Sequence, residues 1–379
     1  GESEERPNII FVQLESLFDV NRLNNLTFSS NPIPNLTRLR QEYSSGLFTV
    51  PSIGAGTVNT EFEAMTGMSL AYFGTGEYPF KTILRSSVSP SICYDLEEYG
   101  YTSHAIHNHK GSFYDRNKVY PNLGFDDFTS IEYMDNIRKT PLGWAKDSIL
   151  TEQVIKALDS TEGSDYIYTV TAQPHGKYPT SGDYDLPIAV YGAEDTETAI
   201  QWQYYVSQIY ETDNFVGSLV KALENRGEPY ICVFYGDHLP SLSVEDEQLS
   251  YGTNYQTEYV IVTNMDIEKQ DEDICAYQLS AKVLEMAGLK GGIMPTLHQT
   301  FEDDEKYYEY MELLEYDILY GDHISLGGEM PYEPTEMTMG IDEIYIEKAY
   351  LTEEGLVVEG VNITDKSEIF VNGKPFGKT

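Results

Sequence analysis

The chain has 379 residues, 41% of them hydrophobic, and a formal net charge of −38. The apolar share is ordinary for a folded protein and excludes an intrinsically disordered chain. The negative field repels nucleic acid, which excludes a nucleic-acid partner. It also repels a phosphate-bearing substrate, unless a metal ion and a few fixed cations reverse the field locally.

The cysteines and the hydropathy of the chain exclude further kinds of structure. The three cysteines stand far apart, at positions 93, 232 and 275, and form neither a disulfide framework nor a metal-binding spacing. No run approaches the roughly 18 apolar residues that a membrane span needs. The first seven residues are polar and stop abruptly at a predicted strand, so we expect any targeting or membrane segment to lie outside this chain.

Short apolar runs alternate with amphipathic stretches along the chain. In chain order, the runs that predict buried strands are 8–14, 102–107, 166–171, 230–235 and 258–263. Apolar residues at helical spacing predict a helix over 196–225, stopped by Gly227, and another over 278–287, ended by Gly288. The predicted fold class is therefore α/β, with a mostly parallel central sheet flanked by helices.

Composition changes near the C-terminus, where residues 322–339 are rich in Gly, Pro, Glu and Met. After them, short strand-like segments with turn signals such as Asn372-Gly373 predict a small β segment. The predicted organisation is a main domain over 1–326, a linker over 327–340 and the β-rich segment over 341–379. That segment has too few strands for a sandwich, so we expect it to be truncated.

Polar residues follow four of the predicted strands. They are, in chain order, Glu15, His107, His109, His175, Asp237 and His238. In open α/β sheets, ligands bind outside the carboxyl ends of the strands. The pattern therefore predicts an active site at one edge of the sheet.

Glu15, Asp237 and His238 offer two carboxylates and one imidazole, a set that suits a hard divalent ion. Asp237 and His238 are adjacent, and both can reach one ion only if the backbone turns sharply, which Gly236 permits. The alternative is a turn capped by Asp237, without an ion.

Thr57 follows the glycine-flexed turn Gly54-Ala-Gly56 and opens a predicted helix that runs through Met65. The free N–H groups and positive dipole of a helix N-terminus attract phosphate. Spacing alone favours Thr57 as the N-cap, with Glu61 near the capping-box position. The metal cluster favours a nucleophile instead, because a threonine hydroxyl attacks well only when an ion or a base stabilises its alkoxide.

The segment from His107 to Arg116 holds the cations and aromatic rings that a phosphate substrate needs in so acidic a chain. Arg116 can clamp phosphate with two parallel hydrogen bonds, and Tyr114 can stack on or hydrogen-bond a polyol. The alternative is a solvated loop.

Taken in order, these pieces resemble the lipoteichoic acid synthase and phosphoglycerol transferase family of the alkaline phosphatase and sulfatase superfamily. The matching segments are 8–16, 56–62, 107–116 with Val119-Tyr120 after it, the strand that ends at His175, 235–238 and 316–321. They span about residues 7–325, and the segment after about Met339 lies outside the resemblance. The implied fold is that of the sulfatases and alkaline phosphatases.

By motif position, the resemblance implies a set of metal ligands and a set of substrate contacts. The implied ligands of Mn²⁺ or Mg²⁺, with Zn²⁺ also possible, are Glu15, Thr57, Asp237 and His238, and Thr57 is also the nucleophile. The implied substrate contacts are His107, His109, Tyr114, Arg116 and His175. His109 stands where lipoteichoic acid synthases commonly carry aspartate, and Tyr114 where they carry tryptophan, so the acceptor and any polymer length stay open.

The implied reaction moves glycerophosphate from phosphatidylglycerol to an acceptor hydroxyl through a covalent Thr57 intermediate. His175 is its implied proton shuttle or phosphate contact. The acceptor would be a glycerophosphate polymer, a glycolipid or another glycan. The implied place is the outer face of a bacterial cell membrane, with an N-terminal membrane region that this chain lacks.

Four alternatives compete with this function. A phosphoethanolamine transferase shares the threonine nucleophile, but such enzymes tend to be rich in disulfides. A true sulfatase needs Cys or Ser in a Cys-x-Pro-x-Arg-type motif, and the sequence lacks one. A hydrolase of the same superfamily would use water in place of Thr57. A catalytically inactive surface-binding protein has no chemical reason to keep all four candidate ligands.

Overall fold

The computed structural model describes residues 6–364 and 367–376. Its strands are β1 (Asn8–Leu14), β2 (Thr27–Phe28), β3 (Ser44–Thr49), β4 (Thr102–His107), β5 (Asp127–Thr129), β6 (Asp165–Val170), β7 (Val190–Tyr191), β8 (Tyr230–Gly236), β9 (Gln256–Thr263), β10 (Ile274–Cys275), β11 (Thr338–Met339), β12 (Tyr345–Thr352), β13 (Gly355–Val361), β14 (Phe370–Val371) and β15 (Lys374–Pro375). Its α-helices are α1 (Pro34–Glu42), α2 (Thr57–Thr66), α3 (Ile92–Glu97), α4 (Arg116–Val119), α5 (Ile149–Asp159), α6 (Thr196–Arg226), α7 (Leu279–Met286), α8 (Ile293–Phe301) and α9 (Tyr307–Leu319). None of the helices described is long and apolar enough to cross a membrane.

A nine-stranded sheet forms the centre of the fold, in the order β10-β3-β9-β8-β1-β6-β4-β5-β11. Strand β9 runs antiparallel to both of its neighbours. Every other pair in this sheet is parallel. The predicted fold class, a mostly parallel sheet flanked by helices with a small C-terminal β segment, is confirmed.

Strand β1 lies in the middle of this sheet, between β6 and β8. Successive side chains of a strand point to opposite faces. Ile9 and Phe11 accordingly pack into one apolar core, and Ile10 and Val12 into the other. Because both faces are covered, the strand is an uninterrupted apolar run, as the sequence shows.

Glycines bound the helix that carries Thr57. Gly56 is the N-cap of α2 with a φ of 89°, and Gly67 ends the helix with a φ of 73°, values that L side chains rarely adopt. Thr57 is therefore the first helical residue, and the N-cap interpretation of Thr57 is wrong. All ten residues of α2 are buried.

The segment between Leu326 and Gly340 lies against the main domain. The Tyr332 ring stacks on Tyr94 with ring centroids 4.4 Å apart, and β11 extends the sheet by pairing with β5. After it, β12 and β13 form an antiparallel hairpin. The domain boundaries at 326 and 340 stay a prediction.

Candidate active site

Four adjacent strands, β8, β1, β6 and β4, end at the same edge of the sheet. Their last residues are in register, since Leu14 pairs with Gly236 and His107 pairs with Val170. The residues that follow these strands thus meet at one edge, as predicted.

Glu15, Asp237 and His238 form a buried cluster whose ligand atoms all lie within 4.8 Å of one another. His238 Nδ1 is 2.8 Å from the carbonyl oxygen of Leu239, which can only accept, so Nδ1 carries the proton. In the neutral ring, Nε2 then keeps its lone pair and faces the carboxylates, 3.3 Å from Asp237 Oδ2 and 3.8 Å from Glu15 Oε1. This is the tautomer that a metal-binding histidine needs.

The carboxylate of Asp237 is satisfied on one oxygen only. Oδ1 accepts from the backbone N–H groups of Ser16 and His238, each at 2.8 Å, whereas the buried Oδ2 has no hydrogen-bond donor. Burial and the nearby charge of Glu15 raise the pKa of Asp237 well above its ordinary value. Burial also opposes ionisation of Glu15, but attraction to His238 and His175 outweighs it and lowers the pKa of Glu15. An orphaned carboxylate oxygen, a second carboxylate and a free imidazole nitrogen fit a divalent cation.

Gly236 has a steric role at this turn. A Cβ at Gly236 would lie 1.8 Å from the carbonyl oxygen of Leu17, so only glycine lets β8 approach the chain after β1. Its φ is not positive. The turn requires glycine at this position, as predicted, because two backbones approach closely there and not because of a special dihedral angle.

Thr57 lies beside this cluster of candidate ligands. Its Oγ1 donates to Glu15 Oε2 at 3.0 Å and lies 3.5 Å from His238 Nε2. It caps no backbone N–H of its helix. The hydroxyl therefore stands at a helix N-terminus with a carboxylate as hydrogen-bond acceptor, which is the setting that an activated nucleophile needs.

Arg116 is buried next to the cluster and is paired with Glu61. Its Nε and Nη2 donate to the Glu61 carboxylate at 3.1 and 2.7 Å, and Tyr120 donates to the same carboxylate at 2.5 Å. Nη1 contacts only the Phe113 carbonyl, at 3.4 Å. Glu61 thus occupies two of the three guanidinium nitrogens, so the predicted clamp of a phosphate by two parallel hydrogen bonds is not open on the Nε and Nη2 edge.

Tyr114 lies between two cations. Its ring centroid is 5.5 Å from Arg116 Cζ and 5.1 Å from Lys81 Nζ. Tyr114 is half-buried with a φ of 56°, an uncommon value for a bulky residue. Lys81 was not predicted from the sequence, and it adds a positive charge beside Tyr114.

A row of rings joins the remaining candidates. The centroid of His109 lies 6.0 Å from that of His107 and 5.1 Å from that of Trp144, and Trp144 stacks against His175 at 4.1 Å. His107 donates from Nδ1 to the Val170 carbonyl, so its Nε2 is free to accept. The structure thus brings His107, His109 and His175 together through Trp144.

Two further residues at the site were not predicted from the sequence. Asn59, in the first turn of α2, is buried with an unpartnered Oδ1; its place two residues after Thr57 was the available signal. The sequence gives no indication of a site role for Asp147, because an acidic residue just before a helix is usually interpreted as a helix cap.

Asp147 ties together the loops that carry the rings. Its Oδ1 accepts from Asn108 Nδ2 at 2.9 Å and from the backbone N–H groups of Ala172 and Gln173 at 3.0 and 3.1 Å. Its Oδ2 accepts from Thr212 at 2.7 Å. Burial raises the pKa of Asp147, and these donors partly oppose the shift.

Several known proteins are similar to this chain. A protein described as a putative cyclic beta-1,2-glucan modification protein of Rhizobium meliloti is 31% identical over 246 residues, which cover 65% of this chain and 38% of that protein. Lipoteichoic acid synthase 2 of Bacillus subtilis is 25% identical over 305 residues, which cover 73% of this chain and 43% of the relative. The chain spans about two fifths of the length of these curated relatives.

Among solved structures, the Streptococcus pyogenes phosphoglycerol transferase GacH in complex with sn-glycerol-1-phosphate superposes with a TM-score of 0.75 at 23% identity. The match covers 86% of this chain and 90% of the GacH chain, and shows a shared fold. The sulfatase family model matches residues 7–289, a span that contains every candidate ligand and substrate contact. The chain belongs to the sulfatase family.

Proposed function

We propose that this protein is a metal-dependent phosphoglycerol transferase that uses Thr57 as its nucleophile. The observation that carries the proposal is the position of the Thr57 hydroxyl, 3.0 Å from Glu15 Oε2 and 3.5 Å from His238 Nε2 at the N-terminus of α2. The names of the similar proteins support a glycerophosphate substrate, since they include a phosphoglycerol transferase bound to glycerol phosphate and a lipoteichoic acid synthase.

The ion would be held by Glu15, Thr57, Asp237 and His238. Mn²⁺ is our first choice for this ion, Mg²⁺ the second and Zn²⁺ the third. When bound, such an ion stabilises negative charge on the reacting oxygens.

The chain's own residues divide the reaction into two displacements. Thr57 Oγ1 attacks the phosphorus of phosphatidylglycerol and gives its proton to Glu15 Oε2, the acceptor it already contacts. The bond from phosphorus to the diacylglycerol oxygen breaks, and diacylglycerol leaves with a proton that His175 supplies. An acceptor hydroxyl then attacks the glycerophosphoryl-threonine, His175 takes its proton, and Thr57 leaves with the proton held by Glu15.

The proposed substrate contacts are Arg116, His107, His109, Tyr114 and Asn59. Arg116 Nη1 and the first turn of α2 face the phosphoryl group, while Tyr114 and the unpartnered Asn59 Oδ1 suit glycerol hydroxyls. The acceptor is a glycerophosphate polymer, a glycolipid or another glycan. We place the domain on the outer face of a bacterial membrane, where its lipid donor resides.

The test is to trap the intermediate. The protein is incubated with phosphatidylglycerol and MnCl₂ and digested, and the peptide that contains Thr57 is weighed by mass spectrometry. We expect an added glycerophosphate unit, and no adduct from phosphatidylethanolamine. A phosphoethanolamine adduct would favour the rival transferase. Diacylglycerol release by Thr57→Ala would show that water attacks and that the protein is a hydrolase.

A further inference from the structure

A cavity of about 700 Å³ opens next to the candidate active site. His109 lies on its wall, with Lys110, Glu132, Asp135, Asn136 and Lys139 around it. Its volume falls within the range of about 300–1,000 Å³ that is typical of ligand sites. Because His109 belongs both to the cavity and to the row of rings that includes His107 and His175, a ligand in the cavity contacts this row at His109.

The wall of the cavity is built on the backbone that positions His109. Ile131 N–H donates to the His109 carbonyl at 3.1 Å, and the Glu132 carboxylate accepts from Gly111 N–H at 3.2 Å. On the other side, a turn closed by hydrogen bonds between Thr140 and Trp144 presents Gly143 and Ala145 to the cavity. The indole of that same Trp144 packs on His175, so this turn lies between the cavity and the His175 end of the row of rings.

The charges of the residues that line the cavity favour a neutral acceptor over an anionic one. Lys110 and Lys139 are balanced by Glu132 and Asp135. Burial and the charge of Arg116 lower the pKa of His109 to about 4, so His109 adds no charge near neutral pH. A polyanion gains nothing from such a wall and is repelled by a chain of net charge −38, whereas hydroxyl groups, which both donate and accept, match it.

We propose that this cavity binds a neutral saccharide, the acceptor of the transferred glycerophosphate, and presents one of its hydroxyls at His109. The inference rests on the proposed function and deepens it, because it selects a neutral glycan over an anionic glycerophosphate polymer. Ile131 and Ile137 give the cavity apolar patches for the CH faces of sugar rings, and Asn136 and Asp135 give partners for their hydroxyls.

The experiment measures binding by titration calorimetry in Thr57→Ala, which has no nucleophile. The probes are maltotriose, laminaritriose, cellotriose, isomaltotriose and a synthetic glycerophosphate trimer. We expect at least one trisaccharide to bind, and the glycerophosphate trimer to bind about tenfold more weakly or not at all. Asp135→Trp, which narrows the cavity from an exposed position, should weaken the binding of that trisaccharide by about tenfold or more.

A matched control and a charge variant sharpen the result. Asp303→Trp adds the same ring at an exposed aspartate outside the cavity and should leave the affinity unchanged. Asp135→Lys makes the lining net positive and should strengthen binding of the glycerophosphate trimer.

Three outcomes would overturn the inference: no trisaccharide binds, Asp135→Trp binds it as well as Asp303→Trp does, or the glycerophosphate trimer binds most tightly. The Thr57 adduct forms from the lipid donor alone, so its presence without saccharide binding would refute the inference and leave the proposed function standing. Absence of the adduct would refute the proposed function itself.

Discussion

Arg116 and Glu61 form an ion pair in which both side chains are essentially inaccessible to solvent. Two guanidinium nitrogens donate to the one carboxylate, and the pair connects α2, which begins at Thr57, to the segment that carries Tyr114. It therefore holds the proposed nucleophile and the proposed substrate contacts in a fixed relation.

Removing the carboxylate of this pair should destabilise the protein strongly. In Glu61→Gln, Arg116 stays buried without its counter-charge, which costs about 3–5 kcal/mol of unfolding free energy. Urea denaturation measures the change. The control is Glu42→Gln in the exposed pair between Arg38 and Glu42, where the side chains are 51% and 49% exposed and we expect less than about 1 kcal/mol. Equal effects in the two variants would contradict the structural role of Glu61.

The metal-free protein should gain stability when Asp237 is neutralised. Asp237→Asn removes one of two neighbouring buried carboxylates and places an amide at a position where Oδ2 has no donor, a gain of about 1–3 kcal/mol. The same variant should lose the stabilisation that Mn²⁺ gives, about 2.7 kcal/mol at a hundredfold excess over Kd. Calorimetric melting with EDTA and with MnCl₂ measures both effects. If Mn²⁺ raises the Tm of this variant as much as that of the wild type, Asp237 is not a ligand.

His104 should make stability fall at alkaline pH. Burial lowers its pKa, but hydrogen bonds to Asp127 at 2.7 Å and Asp165 at 2.8 Å outweigh burial and raise it to about 9. The unfolded value is near 6.5. A raised folded pKa gives stability that is complete below about pH 6.5 and is lost as pH rises through about 9.

The size of this effect is at most about 3–4 kcal/mol. It is smaller than this limit because burial also raises the pKa of Asp127 and offsets part of the gain. Unfolding free energies of wild type and His104→Gln, measured from pH 6 to 10, isolate the contribution of His104. We expect their difference to shrink across that range. A constant difference would mean that His104 stays neutral in the folded protein.

Asp147 should affect the rate of transfer indirectly, by positioning the loops that carry His107, His109, Trp144 and His175. Asp147→Asn replaces an acceptor of several donors by an amide, costing about 1–3 kcal/mol for each donor left unpaired. We expect slower transfer with unchanged Mn²⁺ binding. In a Trp202→Phe background, the fluorescence of Trp144 should shift to the red as its loop loosens. Slower transfer without a spectral change would point to general destabilisation instead.

The segment after Leu326 should matter for stability up to Gly340 and little beyond it. A chain that ends at Gly340 keeps β11 on the edge of the sheet and Tyr332 on Tyr94, whereas a chain that ends at Leu326 loses both. We expect the shorter chain to melt at a lower temperature and the longer one to melt like the full chain. Equal Tm values for the two truncations would show that β11 contributes nothing.

Much of the fold follows from local patterns, and the exceptions have physical causes. Strands β1 and β4 and helix α6 were predicted almost to the residue, because a strand buried on both faces is a continuous apolar run and a long helix keeps one period. Strand β3 was missed because it begins with two serines and is partly exposed.

At the site, the strand-following residues could be predicted because parallel strands end together. The ion-pair partner of Arg116 could not be predicted from the sequence. Glu61 lies 55 residues away, and its spacing from Thr57 suggested a capping box. The structure shows a long-range ion pair there, which no local pattern encodes. The roles of Trp144 and Asp147 likewise depend on loops that meet only in the folded chain.

The central position of β1 has a consequence for the order of folding. The first strand of the chain pairs with strands that begin at residues 165 and 230, so the middle of the sheet closes only after most of the domain has been synthesised. Such distant pairings make folding slow. Glu15 and Asp237 therefore meet late, and a partly synthesised chain has no complete candidate site with which to carry out the proposed reaction.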